Sequence, residues 1–226
     1  MRVSQSVQSV VGLDCELVRP IITPRFVPSC SRRLMRELGN LASSLSLPVQ
    51  THLAENLPEC AWVRQLEPDC RDYTEVYQRS GLLGPRTILA HCCHLSPEEV
   101  EMIRAEGAGV SHCPNSNFSL KSGVCDVRRL QEAGVKVGLG TDCSGGFSPS
   151  LLNSMRMAVM ASNTITFSDS SYRPLQYSDA VYLATRGGAL LTGMEDRLGA
   201  LRQNMLADFL LVDMTGESGG DRTDVR

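Results

Sequence analysis

Three short segments of the chain each end in a residue that can bind a metal ion. They are Thr51-His52, Ala90-His91 and Gly140-Thr141-Asp142, and they close the apolar runs PVQTH, TILAH and VKVGLGTD. Runs of this length and character predict buried strands of a parallel sheet. Polar ligands at the carboxyl ends of successive strands are typical of barrel-type metal hydrolases. The pattern therefore predicts an α/β fold with a metal site at one edge of its sheet.

The spacing of the predicted strands supports parallel pairing. His52 and His91 lie 39 positions apart, and His112 and Asp142 lie 30 apart; a strand–helix–strand unit takes roughly 30 residues or more. RPIITPRF and GVSHC are two further predicted strands. Helices are predicted at 31–47, within 58–83, at 97–107, 124–134, 148–160 and 178–193. A complete (β/α)8 barrel typically takes about 250 residues, so these 226 residues predict about five strand–helix units, the carboxy-terminal half of such a barrel.

The composition excludes several other classes of protein. The chain has 22 basic and 25 acidic residues and no run of Lys or Arg, which argues against a nucleic-acid partner. No stretch approaches the roughly 20 apolar residues of a membrane helix, so we expect no membrane partner. The nine cysteines fit no zinc-finger spacing, and we expect reduced thiols in a cytoplasmic (cytosolic) protein.

The side chains at the strand ends suit hydrolysis assisted by zinc. Imidazole and carboxylate groups are common zinc ligands, and zinc lowers the pKa of a bound water to about 7. Asp142 is the candidate to accept the proton of that water, and Glu55 is the candidate to carry a proton to a substrate nitrogen. Taken singly, each histidine could be structural, Asp142 could cap a turn and Glu55 could be solvated. His94 follows its strand and is expected at the surface, and a thiolate site is disfavoured.

Five segments in a fixed order carry a family resemblance. TPRFVPSCS, QTHLAEN, ILAHCCHLSPEE, VSHCPNSNFSLKSG and VGLGTDCSGG together resemble the guanine deaminases of the amidohydrolase superfamily, and the match runs from about Pro20 to Asp213. The resemblance implies a metal-dependent (β/α)8 barrel and one zinc ion per subunit. It also implies hydrolysis of guanine to xanthine and ammonia in purine catabolism, in a cytosolic enzyme that tends to form homodimers.

The resemblance further implies a role for each site residue. Zinc would be held by His52 and Asp142, with His91 at the metal as a ligand or as a hydrogen-bond partner. Asp142 would also be the general base, and Glu55 would be the proton shuttle. The substrate would be contacted by Arg25, Phe26, His52 and Asp142. The turn at 115–117 would line the mouth of the same substrate site.

The chain also departs from the family pattern. It contains no His-x-His and no preceding β-sandwich segment. We therefore expect a divergent segment at 1–17, a partial barrel at 18–200, and a remnant at 201–226. That remnant would hold the return strand of the sandwich, Phe209–Val212, and a disordered tail. With two imidazole ligands absent, this form is expected to bind zinc weakly and to deaminate poorly.

Two alternatives remain open at this point. The chain could belong to an aminohydrolase that acts on another amino-heterocycle, such as an adenosine-like or triazine substrate. It could instead be a non-catalytic isoform that binds a full-length subunit. Arg25 is the residue that should separate guanine from other substrates.

Overall fold

A four-stranded parallel sheet lies at the centre of the computed structural model, which describes residues 2–13, 15 and 18–212. The order of the strands across the sheet is their order along the chain. They are β1 (Val49–Leu53), β2 (Thr87–His91), β3 (Gly109–His112) and β4 (Lys136–Leu139). Every neighbouring pair is parallel, which requires a crossover between consecutive strands. Four of the five strands predicted for the barrel are thus confirmed, as is the fold class.

The fifth predicted strand, RPIITPRF, does not form. Within it, Ile22 makes a single isolated bridge to the outer edge of β1, where the Gln50 N–H donates to the Ile22 carbonyl oxygen at 2.9 Å. Pro20 and Pro24 stand on either side of Ile22, and a proline has no N–H to donate to a ladder. This segment therefore runs along the edge of the sheet without becoming a regular strand.

Ten α-helices surround the sheet in the part of the chain that the structure describes. In chain order they are α1 (Arg2–Val11), α2 (Arg32–Ser44), α3 (Leu57–Leu66), α4 (Tyr73–Arg79), α5 (Pro97–Ala105), α6 (Pro114–Ser119), α7 (Val127–Glu132), α8 (Leu151–Ile165), α9 (Tyr177–Tyr182) and α10 (Gly188–Leu191). A 3-10 turn spans Val27–Ser29, and a π-helical turn at Leu183–Gly187 joins α9 to α10. None of these helices is both long and apolar enough to cross a membrane.

Local capping explains where the predicted helices begin. The Ser31 side chain accepts a hydrogen bond from the Leu34 N–H and starts α2. Before α5, the Ser96 hydroxyl accepts from the Glu99 N–H and the Glu99 carboxylate accepts from the Ser96 N–H. This arrangement is a reciprocal capping box. Both helices are therefore confirmed, and the region 58–83 resolves into the two helices α3 and α4.

The return strand predicted at Phe209–Val212 is wrong. These residues have no regular secondary structure, and all four are exposed. A strand is stable only against a neighbouring strand, and none pairs with this segment among the residues described. The apolar run is therefore a poor guide to structure here.

The two faces of the sheet have different roles. On one face Leu53, Leu89 and Val110 are completely buried, and they belong to a single hydrophobic cluster with side chains from the helices and with Val7 of α1. On the other face His52 is in lateral register with a row of small residues, Ala90, Ser111 and Gly138. One face thus packs the core. The other carries His52, and further across it Gly138 lies against Gly188 and Leu191 of α10.

Candidate metal centre

The predicted ligands lie where the chain leaves the sheet. His52 is the penultimate residue of β1, His91 ends β2, and Asp142 follows β4 by three positions. His91, Cys92 and Asp142 have positive φ angles of 72°, 53° and 45°. A left-handed residue other than glycine costs on the order of 1–3 kcal/mol and is often found at functional sites. Because of these backbone angles, the side chains at the strand ends do not alternate between the two faces of the sheet as side chains within a strand do.

Three side chains converge on one point at this edge. His52, His91 and Asp142 each offer one ligand atom, and these atoms lie within 4.8 Å of one another. The His91 Nε2 atom is 3.9 Å from the Asp142 Oδ2 atom, and the His52 and His91 rings stack with centroids 5.2 Å apart. Two ligands of one zinc-sized ion are about 4 Å apart at most. Small side-chain movements therefore suffice to bring all three onto a single ion.

The backbone of residue 25 orients the His52 ring. The His52 Nδ1 atom is 2.7 Å from the Arg25 carbonyl oxygen. Because a carbonyl can only accept, Nδ1 carries the proton, and the lone pair lies on Nε2. A second hydrogen bond of this kind is typical of metal-binding histidines, because it fixes both the tautomer and the angle of the ring.

The His91 ring is oriented in the same way and is more deeply buried. Its Nδ1 atom lies 2.8 Å from the Asn117 Oδ1 atom, which leaves the lone pair on Nε2. The residue is 1% exposed, and Nε2 has no hydrogen-bond partner. A buried polar atom without a partner costs about 1–3 kcal/mol. A metal ion would satisfy this atom, and the donor set of two imidazoles and a carboxylate suits one.

Glu55 stands beside the ligands without being one of them. It follows β1, and its Oε2 atom is 3.8 Å from the His91 Nε2 atom. Its other oxygen, Oε1, accepts a hydrogen bond from the Ser122 hydroxyl at 2.8 Å. One carboxylate oxygen is thus held by the protein, and the other faces the ligand cluster.

A cavity of about 300 Å³ opens over this cluster. Its lining consists of Arg25, Phe26, His52, Glu55, Leu120, Asp142, Ser144 and Gly145. The Arg25 guanidinium carbon lies 5.7 Å from the centre of the Phe26 ring. The volume is at the lower end of the range for small-molecule sites. Every residue that the sequence placed at the substrate therefore lines one common space.

His112 is close to the site but outside the ligand cluster. It is 1% exposed, and neither ring nitrogen has a hydrogen-bond partner. Burial, and then the neighbouring His91, lower the pKa of His112 to about 3. Burial likewise raises the pKa values of Cys93 and Cys113 to about 12. These thiols therefore stay protonated in the metal-free protein, and neither belongs to the cluster of His52, His91 and Asp142.

Two expectations about neighbouring residues need correction. Residues 115–117 were expected to line the mouth, but they lie in α6 and are buried beneath it, with Asn117 holding His91. His94 was expected at the surface, but it is half-buried, and its Nε2 atom lies 2.7 Å from the Ser122 carbonyl oxygen. Asn117 thus supports His91 instead of lining the mouth, and Ser122 is a supporting residue that sequence reasoning missed.

A model of the amidohydrolase family matches residues 3–224, almost the whole chain. The chain belongs to the amidohydrolase family. Among curated relatives of this amidohydrolase, the guanine deaminase of Dictyostelium discoideum is 47% identical over 193 residues. That alignment covers 85% of this chain and 43% of the relative.

Solved structures of similar fold include two deaminases. The guanine deaminase from C. acetobutylicum with bound guanine has a TM-score of 0.82 and 39% identity, over 87% of this chain and 46% of the other. An adenosine deaminase from Xanthomonas campestris with bound zinc has a TM-score of 0.83 and 25% identity, over 91% and 46%. The amidohydrolase chain thus spans less than half the length of these similar proteins.

Proposed function

We propose that this amidohydrolase acts in the zinc-dependent hydrolytic deamination of guanine to xanthine and ammonia, a step of purine catabolism. The observation that carries the proposal is the convergence of His52, His91 and Asp142 under a cavity that also presents Arg25 and Phe26. The likeness to guanine deaminases, one of them solved with guanine bound, supports the choice of substrate.

The donor set supports the choice of the residues that would hold zinc. His52 and His91 each keep an unprotonated Nε2 atom because their Nδ1 atoms donate to oxygen, and Asp142 supplies a carboxylate oxygen. When bound, zinc lowers the pKa of a water molecule to about 7 and polarises the carbon–nitrogen bond. The protein supplies the orientation of the three side chains and the burial around them.

Arg25 and Phe26 are proposed to hold the purine. A guanidinium group presents several N–H donors in one plane, which suits the edge of a flat base with oxygen and nitrogen acceptors. The Phe26 ring offers an apolar face on which a base can stack. Because Arg25 lies over Phe26, both groups can contact one base at its edge and at its face.

Two carboxylates are proposed to move the protons. Asp142 accepts a proton from the attacking water, and Glu55 delivers a proton to the ring nitrogen beside the amino-bearing carbon. The free Glu55 oxygen faces the ligand cluster at 3.8 Å from His91, and this proximity supports the proposed transfer. Asp142 then passes its proton to the amino group, and Glu55 takes up the hydroxyl proton of the tetrahedral carbon. Collapse of that carbon releases ammonia, leaves the carbonyl of xanthine and returns both carboxyl groups to their starting protonation.

This polypeptide, studied alone, is expected to be a weak catalyst. Its donors comprise two imidazoles and one carboxylate, the minimum of three that a catalytic zinc usually has. The outer edge of β4 also pairs with no other strand among the described residues. We further propose a cytosolic location, consistent with nine free thiols, and a homodimer.

Zinc content and guanine loss test the proposal directly. The purified chain is loaded with zinc, dialysed, and assayed for metal by mass spectrometry and for guanine turnover by ultraviolet absorbance. Arg25→Ala is compared with Arg36→Ala, which removes an exposed guanidinium from α2. We expect low but measurable turnover that Arg25→Ala lowers at least about tenfold and Arg36→Ala leaves unchanged.

Three results would contradict the proposal. Absence of zinc binding at any concentration would show that these residues do not form a metal centre. Turnover of an adenosine-like substrate in preference to guanine would remove the substrate assignment. If the two arginine substitutions lowered guanine turnover equally, Arg25 would have no specific role in binding the substrate.

A further inference from the structure

We propose that Ser122 is a positioning residue for Glu55, and that His94 acts on Glu55 through Ser122. The inference rests on the proposed function, because it concerns the orientation of the carboxylate that would carry the proton. Neither Ser122 nor His94 lines the cavity over the ligands. Both would therefore act on catalysis without touching the substrate.

The contact between Ser122 and Glu55 is specific and protected from water. The Ser122 hydroxyl lies 2.8 Å from the Glu55 Oε1 atom, and the two residues are 67 positions apart in the sequence. Ser122 is 6% exposed, so water cannot readily take the place of its hydroxyl. A carboxylate can only accept in this bond, which leaves Oε2 without this restraint and directed at His91.

Two neighbours fix the position of Ser122 itself. The His94 Nε2 atom lies 2.7 Å from the Ser122 carbonyl oxygen, and because the carbonyl accepts, Nε2 carries the proton. Gly123 has a φ of +147°, and a Cβ atom at this position would lie 2.7 Å from the His94 Nε2 atom. Only glycine fits at position 123, since a side chain would meet both a forbidden backbone angle and the His94 ring.

The backbone of Glu55 is held from the opposite side. Its N–H donates to the Glu59 Oε2 atom at 3.2 Å, and Glu59 is itself buried. Glu55 is therefore fixed at both ends, by Glu59 at its backbone and by Ser122 at its carboxylate. Without the Ser122 hydroxyl, the carboxylate could rotate about its last bond, and both oxygens would sample several orientations.

Carbon-13 NMR of the Glu55 carboxyl group tests the inference without requiring turnover. The chain is labelled at glutamate carboxyl carbons, with and without zinc, and the Glu55 signal is assigned by its loss in Glu55→Gln. Ser122→Ala removes the hydroxyl, and Ser122→Thr keeps it. Ser119→Ala is the matched control, because this hydroxyl three positions earlier bonds the Asn115 carbonyl oxygen.

We expect Ser122→Ala to shift the Glu55 signal, while Ser122→Thr and Ser119→Ala leave it in place. His94→Ala should shift it in the same direction by a smaller amount. Zinc affinity should stay within about threefold in all four variants, because a supporting contact to a metal ligand would cost 10- to 100-fold. In the turnover assay, Ser122→Ala should lower kcat about tenfold with KM within about twofold.

An unchanged Glu55 signal in Ser122→Ala would overturn the inference, as would an equal shift in Ser119→Ala. If the zinc-loaded wild-type chain binds guanine without turning it over, the proposed function fails, and the NMR result still decides the role of Ser122. If Ser122→Ala and Ser122→Thr both lower kcat while the Glu55 carboxyl signal stays unshifted, the fall in kcat reflects a general loss of packing. That result would also contradict the inference.

Discussion

Asn117→Leu should weaken zinc binding although Asn117 is not a ligand. The Asn117 Oδ1 atom accepts from the His91 Nδ1–H at 2.8 Å, and both residues are buried. Leucine has a similar volume and no acceptor. The imidazole then either leaves its Nδ1–H unpaired or moves the proton to Nε2, the atom that faces Asp142. Either change disfavours the form of His91 that binds a metal.

The magnitude follows from the burial of this bond. Supporting hydrogen bonds to metal-binding histidines are worth 10- to 100-fold in affinity, which is about 1.4 to 2.7 kcal/mol. Because His91 is 1% exposed, water cannot replace the lost acceptor, and we expect the upper part of that range. The free energy of unfolding should also fall by about 1–3 kcal/mol, because a buried N–H loses its partner.

Competition with a chromophoric zinc chelator measures the affinity, and urea unfolding measures the stability. Asn115→Leu is the matched control, since Asn115 lies in the same helix, is equally buried and bonds Asn153 instead of a ligand. It should lose stability while keeping its zinc Kd within about threefold, well short of the 10- to 100-fold cost of a lost supporting bond. The reasoning is refuted if Asn117→Leu binds zinc as tightly as wild type, or if both variants lose affinity equally.

Three further predictions concern acid stability, proton transfer and the metal. The folded state lowers the pKa of His112 from 6.5 to about 3, so only the unfolded chain takes up this proton between those values. Metal-free wild type should therefore lose stability as pH falls through that window, by up to about 1.4 kcal/mol per pH unit. Urea unfolding of His112→Leu should show a shallower dependence, and equal slopes would contradict this. Glu55→Gln should lower turnover at least about 100-fold with zinc affinity nearly unchanged, so parallel loss of both would make Glu55 a ligand. Removal of zinc with EDTA should lower the melting temperature, because a ligand of the folded state at 100 times its Kd adds about 2.7 kcal/mol; an unchanged melting temperature would argue against the metal site.

Sequence patterns were sufficient for the sheet and for the convergence of His52, His91 and Asp142, because both depend on local order. PVQTH and TILAH are apolar runs that end in histidine, and parallel strands bring their carboxyl ends to one edge. His52 and His91 could therefore be paired before any contact was known. RPIITPRF also contains apolar residues, but its prolines cannot donate the backbone hydrogen bonds of a regular strand. Apolar runs alone therefore predict too many strands.

The supporting residues could not be predicted from local patterns. Asn117 is 26 positions from His91, and Ser122 is 67 positions from Glu55. Asparagine and serine are common in turns for reasons of backbone geometry, so nothing in the sequence separates these two from others of their kind. Their roles depend on contacts between residues that are far apart in the sequence, and local sequence patterns do not reveal such contacts.

Residue 25 has a consequence for how substrate preference can change in this family. Its carbonyl oxygen orients the His52 ring, while its guanidinium lines the cavity. A substitution at this position replaces the side chain and keeps the carbonyl. If Arg25 binds the substrate as proposed, single mutations at this position change substrate choice while the His52 ring keeps its hydrogen bond to the backbone. Substrate selectivity and the orientation of a proposed metal ligand would then depend on different atoms of one residue.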